Sequence, residues 1–123
     1  MKLFKKLGFN PYRTIKQNLA YKFYLKTHKG QGCNFCTLKD NTLIKKYKYW
    51  NIIECRWPYR GTKIHWLLIS RVHIPNDYIS EFPERTEQEY QQIRQRMLNN
   101  GFTLQHNGKR NYSVSHFHVH LMK

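Results

Sequence analysis

His116, His118 and His120 alternate with Phe117, Val119 and Leu121. Side chains on a strand repeat every two residues, so the three imidazoles would share one face. The three apolar residues would face the opposite way, into a core. Imidazole is a metal ligand, a nucleophile and a proton donor near neutral pH. Three of them in five residues can therefore divide those tasks within one short segment.

A second cluster is Cys33-Asn34-Phe35-Cys36. Two thiolates at this spacing can bind one tetrahedral zinc, which then needs two further ligands. The sequence offers His65 and His116 for these places, with His28 and His73 in reserve. An odd count of three cysteines with such a pair favours metal binding over a disulfide framework. Cys55, inside an apolar segment, reads as a small buried hydrophobe.

The elements that must position these residues follow from periodicity. Asn10-Pro11 suits a helix start, and a helix to about Lys26 would align Ile15, Leu19 and Phe23 in a stripe that usually packs on the domain, a membrane or nucleic-acid face being the alternative. Residues 42–57, rich in Tyr, Ile and Trp, suit one or two strands. Residues 64–69 form a dense apolar run suited to a central strand. Thr86 and Glu89 resemble a capping box, with Pro83 an earlier start for the same helix. Tyr90, Ile93 and Met97 are its buried stripe, and Asn100-Gly101 its stop. Residues 102–105 and 113–121 suggest an antiparallel pair around Asn107-Gly108. The sum is an α+β fold: an antiparallel sheet of about five strands with two helices. Residues 1–32 read as a basic arm and helix, and residues 33–123 as the main part of a single globular domain.

Composition narrows the function. Lys and Arg number 22 against 7 Asp and Glu, a formal charge of +15. That excess favours a polyanionic partner such as nucleotide phosphates or nucleic acid. Scarce acids argue against a two-metal phosphoesterase or a paired-carboxylate glycosidase. No apolar run approaches the roughly 18 residues of a membrane span, which suggests a soluble, cytoplasmic protein.

The segment from Ser113 to Met122 resembles the signature of the histidine triad (HIT) family, Ser-Val-x-His-x-His-x-His followed by two apolar residues. His65-Trp66-Leu67-Leu68-Ile69-Ser70-Arg71-Val72-His73 is similar to the family's Gly-His-x-Leu-Val-Ile-Pro-Lys-x-His stretch. Cys33 to Cys36 resembles the Cys-x-x-Cys of its zinc-containing branch, and all three occur in the family's order. The resemblance implies an enzyme, a nucleotide hydrolase or nucleotidyl transferase acting on an α-phosphate. It implies His118 as the nucleophile that forms a nucleotidyl-histidine, and His120 as a donor to a phosphoryl oxygen. Ser113 and Asn107 would bind the substrate phosphate. Cys33, Cys36, His65 and His116 would hold a structural zinc. The substrate would be a nucleotide or nucleotide conjugate, and a homodimer is left open. One departure concerns the acid that often grips the ribose. Here the sequence reads Cys55-Arg56-Trp57-Pro58, with Glu54 the nearest acid.

A second reading is a zinc-stabilised nucleic-acid-binding protein on the same frame. Its signal is the strip Lys45-Lys46-Tyr47-Lys48-Tyr49-Trp50, where cations and aromatics could hold phosphates and stack bases.

Overall fold

A computed structural model describes residues 11–27, 33–38, 42–74, 82–107 and 116–123. Five strands form one sheet: β1 (Leu43–Lys46), β2 (Trp50–Glu54), β3 (His65–Ser70), β4 (Thr103–Gln105) and β5 (His118–Met122). Their spatial order is β1-β2-β3-β5-β4, and every neighbouring pair is antiparallel. Three helices accompany them among the described residues: α1 (Ile15–Thr27), the one-turn α2 (Asn34–Thr37) and α3 (Glu84–Asn99). The α+β expectation holds, with five antiparallel strands.

The two faces of the sheet do different work. On one, Trp50, Ile52, Leu68, Val119 and Leu121 pack with Phe117 against Tyr90, Ile93 and Met97 of α3. The Trp50 indole N–H, buried there, donates to the Thr86 carbonyl at 2.8 Å, which satisfies its one polar atom. On the other face Ile53, Cys55, Leu67 and Ile69 cluster under Phe35 of α2. His118 pairs across the ladder with Ile69, and His120 with Leu67. Directly opposed residues share a face, so these two imidazoles stand on the Phe35 side. Phe117, Val119 and Leu121 stand in the α3 core, as the period-two pattern predicts.

Helix boundaries show where local chemistry decides. Asn10 lies outside the described residues, and Pro11 precedes α1 rather than opening it. Thr14 and Gln17 bracket the start instead. The Gln17 N–H donates to Thr14 Oγ1 at 3.1 Å, and the Thr14 N–H to Gln17 Oε1 at 2.8 Å. This reciprocal capping box satisfies two otherwise orphaned donors. Thr86 is not a cap: α3 starts at Glu84 after Pro83, and Thr86 is buried within it. Glu89 accepts the Tyr49 N–H at 2.7 Å. The Asn100-Gly101 stop is as expected. Gly101 has φ +84°, and the Phe102 N–H returns to the Met97 carbonyl at 3.0 Å.

The stripe of α1 differs from expectation. Ile15, Leu19 and Phe23 point outward, while Asn18 and Tyr24 are buried. The rings of Tyr21 and Tyr24 contact Trp57. The reason is the loop before β3, which offers carbonyls that a polar helix face satisfies. The Arg13 Nε–H donates to Trp57 O at 2.7 Å, and Gln17 Nε2 to Pro58 O at 2.9 Å.

Candidate functional site

The antiparallel pairing of β3 with β5 decides which residues meet. The start of β5 lies beside the end of β3, so His116 reaches Ser70 and the segment that follows it. The His116 Nε2–H donates to the Ser70 carbonyl at 2.7 Å, with Ser70 Oγ at 3.1 Å. That bond places the proton on Nε2 and leaves Nδ1 as the ligand atom.

His116 Nδ1 lies 3.4 Å from Cys33 Sγ and 3.5 Å from Cys36 Sγ. His73 Nδ1 lies 3.3 Å from Cys36 Sγ. Zn–S and Zn–N bonds of about 2.3 and 2.0 Å, at tetrahedral angles, imply an S···N edge of about 3.5 Å. All four ligand atoms of Cys33, Cys36, His73 and His116 fall within 4.8 Å of one another. Two thiols and two imidazoles at these separations fit a closed, four-ligand structural zinc. Burial, and then the neighbouring Cys33, push the Cys36 thiol above its ordinary value. A divalent cation is what would draw both thiols into the thiolate form.

His65 is not in this group, and the expected ligand set is corrected accordingly: His73 takes its place. His65 opens β3 and pairs with Met122. Five residues of strand, roughly 16 Å, separate its level from that of Ser70. It instead contacts His120, its Nε2 lying 2.7 Å from His120 Nδ1.

The proton positions at this end follow from one fixed donor. The Tyr59 backbone N–H lies 2.9 Å from His65 Nδ1, which must therefore accept. His65 then carries its proton on Nε2 and donates to His120 Nδ1, so His120 carries its own on Nε2. The Asn107 amide lies 3.2 Å from His120 Nε2 and also meets Tyr59 Oη at 3.1 Å. With Nε2 a donor, its acceptor is Tyr59 Oη at 3.4 Å, the same hydroxyl oxygen to which Asn107 Nδ2 donates. Gln105 holds the other end of that amide.

His118 has the complementary tautomer. Its Nδ1–H donates to the His116 carbonyl at 2.8 Å, which leaves the lone pair on Nε2. Burial lowers its pKa to about 4. Burial also lowers His65 to about 4 and, with the neighbouring imidazole of His118, His120 to about 2. All three are neutral at pH 7, so each ring keeps one unprotonated nitrogen.

Sequence reasoning missed Tyr59 and Arg13. Tyr59 stacks on His120 at 4.9 Å between centroids, and Tyr12 stacks on Tyr59 at 5.0 Å. The Arg13 guanidinium lies 5.1 Å from the Tyr59 ring. It is the only Lys, Arg, Asp or Glu among the buried described residues. Its positive field opposes protonation of His65, His118 and His120. The sequence signal beside them is the Pro58-Tyr59-Arg60-Gly61 segment, which breaks the apolar pattern between β2 and β3. Ser113 lies outside the described residues. Within the basic strip Trp50 is wholly buried, and Tyr47 and Tyr49 pack against the same core.

No protein-family model and no curated protein matches the chain. Solved structures do. A HIT family hydrolase from Clostridium thermocellum superposes with a TM-score of 0.57 at 23% identity, over 74% of this chain and 89% of the other. A histidine triad protein from Clostridium difficile gives 0.58 at 16% identity, over 74% and 90%. A Zn-bound histidine triad family protein from Mycobacterium smegmatis gives 0.55 at 19% identity, over 74% and 73%. The chain has the histidine triad fold. Within that histidine triad fold, two of the three triad imidazoles, His118 and His120, face the sheet side capped by Phe35. The third, His116, belongs to the Cys/His group. Phe35 joins the two, its ring 5.8 Å from His116 and 5.5 Å from His118.

Proposed function

We propose that this protein is a histidine triad enzyme, a nucleotide hydrolase or nucleotidyl transferase that works through His118. The observation that carries the reading is the His118 tautomer. Its proton is tied to the His116 carbonyl at 2.8 Å and its lone pair is on Nε2, in a ring kept neutral by burial.

In this reading Nε2 attacks the α-phosphorus of a nucleotide. A P–N bond forms, the bond from phosphorus to the leaving group breaks, and the leaving group departs with the electron pair. Water or another acceptor then displaces the histidine, restoring the neutral ring and releasing the nucleotide product. Negative charge grows on the phosphoryl oxygens in both steps. His120 Nε2–H, oriented through His65 by the Tyr59 amide, supplies a pre-aimed donor for it. Ser113 and Asn107 are assigned to the substrate phosphate, Asn107 exchanging its contact with His120 for one with the ligand. Arg13 adds a buried positive charge beside the same ring cluster.

Zinc, when bound, supplies a structural cross-link between α2, the segment after β3 and the start of β5. Cys33, Cys36, His73 and His116 would hold it. With four protein ligands it keeps no open position for substrate.

The test is turnover of dinucleoside polyphosphates and nucleoside phosphoramidates, followed by release of the nucleoside monophosphate. Wild type should turn over at least one class. His118→Ala should lose at least a thousandfold while keeping its fold and zinc. Equal turnover by that variant would sink the proposal.

A further inference from the structure

Helix α1 meets the domain through one side and leaves an apolar stripe on the other. Asn18 and Tyr24 are buried, and Tyr21 and Tyr24 meet Trp57. The opposite side carries Ile15, Leu19 and Phe23, which are 56%, 55% and 70% exposed. At four-residue intervals they form one stripe about 12 Å long. Lys16 and Lys26 flank it, each three residues from a stripe member and seven from another. Both are exposed, as is Lys22. No acidic residue precedes Asp40 in the sequence.

Single exposed apolar residues need no explanation, but an aligned set on a helix already anchored by its other face does. The charges select what covers it. A second copy of this chain, itself at +15, would bring the same lysines to the seam. Nucleic acid would satisfy the lysines and leave Ile15 and Leu19 in water. An anionic bilayer surface satisfies both sets: phosphates take the ammonium groups, and the acyl boundary takes the apolar side chains. We infer that α1 docks the protein on an anionic lipid surface, lying in its plane with Ile15, Leu19 and Phe23 inserted. The low count of three apolar residues makes this binding peripheral and reversible. It is consistent with the finding that no described helix is long and apolar enough to cross a membrane.

The experiment is co-sedimentation of the full chain with vesicles of phosphatidylcholine containing 30% phosphatidylglycerol, against phosphatidylcholine alone. Wild type is expected to partition to the anionic vesicles only. Lys16→Gln with Lys26→Gln should weaken partitioning about thirtyfold, since each lysine near such a surface contributes about fivefold. Phe23→Ser should weaken it about tenfold through lost apolar burial. These side chains are exposed, so unchanged zinc content and thermal unfolding serve as the folding controls. Absence of wild-type partitioning overturns the inference, as does partitioning indifferent to Phe23→Ser. Two further results overturn it in favour of another occupant. One is RNA binding lost in the lysine variant but retained in Phe23→Ser, without vesicle binding. The other is a dimer in solution that Phe23→Ser dissociates.

Discussion

His65 Nε2 sits 2.7 Å from His120 Nδ1, and the Tyr59 backbone amide occupies the other nitrogen of His65 at 2.9 Å. A main-chain N–H thus sets the tautomer of one imidazole and, through it, of a second. The relay makes His65 a positioning residue for His120, at the end of β3 away from the Cys/His group.

Two histidines of one segment should therefore fail in different ways. His65→Ala should lower kcat by about a hundredfold through misorientation of His120, with zinc retained. His73→Ala should release zinc. Metal analysis beside steady-state kinetics checks both; zinc lost from His65→Ala and kept in His73→Ala would reverse the assignment.

Purified protein should carry about one zinc per chain. Chelation, or Cys33→Ser, should free α2 and the start of β5 and lower the melting temperature by about 10 °C or more. Calorimetry with and without chelator reads this directly. An unchanged melting curve would remove the structural role of the metal.

Acid should destabilise the fold early. His65 and His120 have folded pKa values of about 4 and about 2, below the 6.5 of an exposed imidazole. Between those values the unfolded chain binds more protons, so stability falls as pH drops from about 6.5 towards 4. Above pH 7 these residues contribute no further change. Chemical unfolding at a series of pH values should show that slope, and His65→Gln should flatten it. A slope unaltered by His65→Gln would place the linkage elsewhere.

What the sequence disclosed was local or periodic. The alternation of His116 to Leu121 assigned both faces of β5, and Gly101 with Asn100 marked the end of α3. The Cys-x-x-Cys with His116 located most of the metal group. The choice between His65 and His73 is a matter of strand pairing across 49 to 57 residues. Only the antiparallel register puts His73, and not His65, beside His116. Periodicity also aligned Ile15, Leu19 and Phe23 correctly but could not say which side of α1 would face the domain. The carbonyls of Trp57 and Pro58 decided that by engaging Arg13 and Gln17. Tyr59 escaped notice because its contribution is a backbone amide and a stacked ring, neither of which has a sequence signature.

The most direct test of the central claim is intact-protein mass spectrometry during turnover, quenched rapidly without acid because a phosphoramidate at histidine is acid-labile. Wild type should gain the mass of one nucleoside monophosphate, located by fragmentation on His118, and lose it as product accumulates. His118→Ala should show neither adduct nor product. Product formed by wild type with no adduct on His118 at any time point, or an adduct that persists in His118→Ala, would contradict it.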